Sequence, residues 1–151
     1  MKALIPLLAL VVVACPAQEH EDIFAHACEH VGEGASIAAS ASEDAAPLLV
    51  GDALVTLSAD ASTYVSFETE TADEAITVFA DATAVVDGLR FGGADETLPA
   101  GAANEDCPES IPEHFDLDLE AQGTWTLVLA PSALDSVWLS VVESGEHGHD
   151  E

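Results

Sequence analysis

The sequence predicts a mainly β protein, a small antiparallel β-sandwich carrying one short N-terminal α-helix. Three observations lead there. Most of the chain beyond residue 50 breaks into runs of alternating apolar and polar residues separated by turn residues, the period of half-buried strands. One earlier stretch, D-I-F-A-H-A-C-E-H-V-G-E-G, repeats its apolar residues at helical spacing instead. The length of 151 residues matches one domain rather than two.

Taken in order, the helix comes first. At about 100° per residue, Ile23, Phe24, Ala27, Cys28 and Val31 share one face, and Asp22, His26, Glu29, His30 and Glu33 share the other. Gly32 or Gly34 supplies a natural stop. Strands follow in A-L-V-T-L-S, T-Y-V-S-F-E-T and A-I-T-V-F-A, and then in T-A-V-V, which ends at Asp87-Gly88. A long loop rich in Gly, Pro and acids runs from Gly92 to Pro112 and contains Cys107. The clearest strand is H-F-D-L-D-L-E, where Phe115, Leu117 and Leu119 point one way. Gln122-Gly123 then turns the chain into T-W-T-L-V-L, with Trp125, Leu127 and Leu129 on one face, and S-V-W-L-S-V-V follows Pro131. About seven or eight strands at this spacing make an antiparallel sandwich.

The first fourteen residues, M-K-A-L-I-P-L-L-A-L-V-V-V-A, are a short basic start and an apolar run. The run falls short of the roughly 20 apolar residues a bilayer span needs, so it reads as a secretory signal. V-V-A-C, Val12 to Cys15, resembles the lipobox of bacterial lipoproteins. That resemblance implies cleavage before Cys15, lipid attachment to Cys15 and anchoring in the cell envelope. Pro16 in place of an acidic residue after the cysteine favours, by the same resemblance, the outer over the inner membrane. The plain alternative is an ordinary signal peptide cut nearby. The organisation expected is a signal over 1–14, a lipid-anchored tether over 15–22, a helix plus sandwich over 23–143 and an acidic, His-containing tail over 144–151.

Without residues 1–14 the chain carries 29 acids against one base, Arg90, a formal charge of −28. Phosphate is repelled by such a field, which excludes nucleic acid as a partner. Adsorption to an anionic membrane is opposed as well, so contact with a membrane has to come from the lipid. Of the three cysteines, Cys28 and Cys107 remain once Cys15 is lipidated, and an oxidising compartment favours joining them in a disulfide. Two free thiols are the alternative.

The order Y-V-S-F-E-T, A-I-T-V-F-A, L-E-A-Q-G-T-W-T-L-V-L resembles the small jelly-roll modules of pre-peptidase C-terminal type that follow many secreted bacterial peptidases. Gly123, Thr124 and Trp125 occupy that family's Gly-Thr-aromatic turn, and the resemblance covers roughly residues 50–143. It implies an accessory binding or folding unit rather than a catalyst. Fold alone does not assign function.

Chemistry is concentrated in the histidines. His26 and His30, one helical turn apart, are spaced to hold one divalent ion, with Glu29, Asp22 or Glu33 as further ligands. The same letters, H-A-C-E-H, match the H-x-x-E-H signature of the inverzincin peptidases, with Glu29 as general base. By resemblance those enzymes need far larger domains, and Cys28 inside the motif is better used in the bridge to Cys107. A second group is the outward stripe of the H-F-D-L-D-L-E strand, His114, Asp116, Asp118 and Glu120, which is equally an ordinary acidic solvent face. A third is the tail, with His147 and His149. No G-x-S-x-G motif, phosphate loop or Cys-His nucleophile pair appears.

The expected function is an exported, lipid-anchored, non-enzymatic protein that binds zinc or copper as a buffer, sensor or chaperone. The alternative is a structural or interaction lipoprotein adapted to high salt, with the peptidase behind both; no protein partner is named by the residues. Self-repulsion among the acids predicts a fold that needs screening salt. The melting midpoint should rise between about 0.02 M and 1 M sodium chloride as the Debye length shrinks. An unchanged midpoint would rule out the salt adaptation.

Overall fold

The computed structural model describes residues 22–144. The signal, Cys15, most of the tether, and the tail histidines His147 and His149 lie outside the described residues. Helix α1 (Ile23–His30) is followed by nine strands: β1 (Ala35–Ala38), β2 (Asp52–Thr56), β3 (Thr63–Thr69), β4 (Glu74–Ala80), β5 (Val86–Phe91), β6 (Ala94–Glu96), β7 (Glu113–Leu119), β8 (Gly123–Leu129) and β9 (Ser136–Glu143). Two sheets form, one ordered β1-β2-β9-β4-β7 and the other β3-β8-β5-β6. Apart from β1, these are the two four-stranded layers of a jelly roll, and of the links between β2 and β9 only β5–β6 stays within a layer. The sandwich expected from the alternating runs is therefore the fold observed.

Between the layers lies the main core, built on Val55, Val65, Phe67, Val78, Leu127 and Leu139. Strand β7 alternates as its sequence demands, with Phe115, Leu117 and Leu119 buried and Asp116 and Asp118 exposed. Strands β4 and β9 depart from simple alternation, because Phe79 and Trp138 are buried on the opposite side from Val78 and Leu139. They belong to a second core on the outer face of the five-stranded sheet. There Ala27 of α1 and Ile111 complete the cluster, and Ile23, Phe24, Cys28 and Val31 pack against it. This is the apolar helix face read from the sequence. Removing an aromatic ring of this kind from water stabilises the fold by about 1.5–3 kcal/mol.

Three elements differ from the sequence expectation. The strand expected over T-A-V-V, ending at Asp87-Gly88, instead begins at Val86 and runs through Gly88 to Phe91. Its register shifts between Val86 and Gly88, so Asp87 is absorbed as a bulge rather than a turn. The long loop after Gly92 starts with a strand, β6, because Gly92 and Gly93 both adopt positive φ (59° and 80°) and close a two-residue hairpin. Strand β1, four residues with little apolar content, pairs parallel to β2 from Ala35↔Ala53 to Ala38↔Thr56. Gly34, at φ 110°, leads into it, and a Cβ there would collide with the backbone carbonyl of Asp52.

Helix α1 is fastened along its length. Asp22 caps its start, accepting from the backbone N–H groups of Phe24 (3.0 Å) and Ala25 (3.4 Å). The Asn104 amide donates to the Phe24 carbonyl (3.0 Å), and Cys28 is joined to Cys107 by a disulfide. Just past the helix, Val31 (φ −54°, ψ 127°) and Gly32 (φ 84°) form a turn of type II character in which Glu33 N–H returns to the His30 carbonyl (3.0 Å). The buried Trp138 indole N–H then donates to the Glu33 carbonyl (3.0 Å).

Replacing both Cys28 and Cys107 by Ser opens a loop with a sequence separation of 79. In the chain-entropy treatment such a closure contributes up to about 4.5 kcal/mol. The double variant should show a lower urea midpoint and fast amide exchange throughout α1, with β4 and β9 still protected. Undiminished protection of α1 would show that the bridge does not hold the helix.

Candidate metal centre

On the face of α1 turned away from Ala27 and Cys28, His26, Glu29 and His30 come together. One ligand atom from each lies within 4.8 Å of the others, and among the described residues this is the trio of ligand-type side chains so placed. Helical geometry is the cause, since positions i, i+3 and i+4 stand over one another on a single face. The rings of His26 and His30 lie with centroids 4.4 Å apart. Glu29 and His26 are exposed and His30 is partly so.

Glu33 acts on this trio from the turn. Its Oε2 lies 2.6 Å from Nδ1 of His30. With Nδ1–H donated to that carboxylate, the ring presents Nε2 as its lone-pair nitrogen, the tautomer and orientation that an outer carboxylate imposes on a ligating histidine. The Trp138 hydrogen bond to the Glu33 backbone keeps the turn, and so the carboxylate, in place. The same contact raises the His30 pKa above 6.5. The hydrogen bond to Glu33 is the largest cause, desolvation opposes it, and the charges of Glu33, Asp52 and Glu29 add to the rise. A metal at His30 therefore has to displace a proton that is held more firmly than usual.

The other candidates are placed elsewhere. Asp22, considered a ligand from its helical position, serves as the cap and lines the opposite flank of α1. That flank holds a separate cavity of about 500 Å³, lined by Asp22, Phe24, Asn104 and His114 among others. His114 is withdrawn from the outward stripe of its strand. Phe24 stands edge-on to it with centroids 5.0 Å apart, Phe79 lies behind it at 6.0 Å, and its Nδ1 is buried without a hydrogen-bond partner. Its Nε2 is 3.6 Å from Asp116 Oδ2, beyond hydrogen-bond range. Asp116 instead accepts from Thr77 Oγ1 (2.9 Å), while Asp118 and Glu120 face solvent. The helix packs on the outer face of the five-stranded sheet, with His114 on one flank of it and the His26–His30 pair on the other. One site uniting all three is not formed.

Although His26 and His30 belong to the helix face opposite Cys28, they do not look entirely away from the body. His26 and His30 form one wall of a cavity of about 320 Å³ whose other wall includes Asp52, Ser140 and Val142. Asp52 escaped the sequence reading because an acid at the start of a strand looks like any solvated acid. The available signal was Leu54, an apolar residue of the same parity, marking that side of the strand as covered.

Compared with known proteins, the chain matches no family model, and no curated protein matches it.

Because the folded state binds the His30 proton more firmly than the unfolded chain, the Glu33–His30 pair contributes fully below pH 6.5 and fades as pH rises through His30's own, higher pKa. Titration of His30 followed by nuclear magnetic resonance should give a midpoint above 6.5 in the native chain and one closer to 6.5 in Glu33→Gln. Equal midpoints would remove Glu33 from the account.

Proposed function

We propose that the protein is an exported, lipid-anchored carrier that takes up a divalent transition metal, zinc or copper, at His26, Glu29 and His30, as a buffer or chaperone and not as an enzyme. The observation that carries this reading is the gathering of three ligand atoms within 4.8 Å on a helix fastened to a rigid sandwich. Paired imidazoles prefer zinc and copper to magnesium or calcium, which take oxygen ligands. The field of 29 acids concentrates cations near the surface, and the exposure of the trio lets an ion enter and leave without unfolding.

The peptidase reading of H-A-C-E-H has less support. Cys28 within the motif is spent on the disulfide. A structural, salt-adapted lipoprotein is favoured by a different observation, the solvent-facing acids Asp116 and Asp118 of β7 and Glu120 just beyond it, beside which His114 is packed against Phe24.

Calorimetric titration of zinc and copper(II) into the intact chain separates these readings. Micromolar or tighter binding is expected, weakened by about tenfold or more in both His26→Ala and His30→Ala, since even outer-shell changes cost 10–100-fold at metal sites. Binding lost only when His147 and His149 are replaced would move the site to the tail. No heat at all would leave the structural reading, and turnover of a peptide would restore the peptidase.

A further inference from the structure

The cavity beside the histidine pair has chemistry on its far wall. Asp52 opens β2, and Ser140 sits opposite it in register on β9. Ser140 Oγ donates to Asp52 Oδ1, which orients the carboxylate, and among the described residues no group donates to Oδ2. The backbone beneath is equally constrained, because Gly34 closes onto the Asp52 carbonyl with no room for a side chain. Asp52 is thus an oriented acceptor that shares a cavity of about 320 Å³ with His26 and His30. Glu29 does not line that cavity, so the two carboxylates flank the ring pair from different sides, one from solvent and one from the sheet.

Building on the metal-binding reading above, we infer that Asp52 is the fourth ligand, and that His26, Glu29, His30 and Asp52 form a closed zinc site strapping α1 to β2. Two imidazoles and two carboxylates are a four-coordinate nitrogen and oxygen set of the kind zinc takes in tetrahedral geometry, and the two carboxylates balance its charge. Copper(I) is a poorer match, since it selects thiolate and thioether, and here Cys28 and Cys107 are bridged while the chain's one Met is Met1. Asp52 stands outside the 4.8 Å trio, so ion uptake draws carboxylate and rings together across the cavity. Four protein ligands leave no position for a substrate water, which suits storage or structural closure rather than catalysis.

The test is a zinc titration of the intact chain, comparing wild type with Asp52→Asn, Asp52→Ser and Asp118→Asn. The last makes the same charge change on the exposed face of β7. Melting curves of the zinc-free proteins confirm that each is folded, and Asp52→Ser serves if Asp52→Asn is not. Zinc affinity should fall about tenfold or more in the Asp52 variants and stay within about twofold in Asp118→Asn, in line with the cost of disturbing a metal's immediate surroundings. Equal affinities in Asp52→Asn and Asp118→Asn, whether both native or both weakened, overturn the fourth ligand while leaving the helix trio standing. Absence of zinc binding in the wild type overturns the metal reading and this inference with it.

Discussion

The attachment of α1 to the outer face of the five-stranded sheet carries the whole candidate site, because eight residues do not hold a helix in water on their own. Covalent and non-covalent fastenings share the task. The Cys28–Cys107 bond ties the middle of the helix to the loop before β7, and Asn104 and Trp138 take hold of backbone carbonyls at either end. Under the helix, Phe79 and Trp138 turn what would be a solvent face of β4 and β9 into a second core. If these contacts were lost, His26 and His30 would no longer be held one turn apart, and no pair of rings would be presented to an ion.

Fastening also decides which way the polar side chains point. With Ala27 and Cys28 turned down, the remaining faces of α1 divide between two flanks. One puts Phe24 against His114, and the other puts His26 and His30 beside Asp52. Burial in the first flank makes His114 part of the packing. Partial exposure in the second leaves the histidine pair in contact with water and with the negative field of the acids. Carboxylates that repel one another in the free protein are the groups a divalent ion neutralises, so cation uptake and relief of self-repulsion act in the same direction.

Much of this was readable in the residues, and the limits have physical causes. The clean alternation of H-F-D-L-D-L-E gave β7 and its buried Phe115, Leu117 and Leu119, because one face of that strand meets the core and the other meets water. Helical spacing gave the apolar face of α1 and the His26–Glu29–His30 face together, and cysteine counting gave the bridge. Strand β1 left no signal, since A-S-I-A buries almost nothing and is held by backbone pairing to β2. Asp87-Gly88 looked like a turn because both residues favour one, while the pairing of β5 with β8 absorbed them as a bulge. The site's second wall was hidden for a different reason. Residues 26 and 52 line one cavity only because the sheet order sets β2 beside β9 under the helix, and such long-range placement is not written in any local period.

The most direct examination of the central claim is anomalous diffraction at the zinc edge from crystals of the intact chain with one equivalent of zinc. A single peak between the rings of His26 and His30, with carboxylate oxygens completing its coordination, is the result this account predicts. A peak on the outer stripe of β7 or among the C-terminal residues, or no ordered zinc at all, would contradict it.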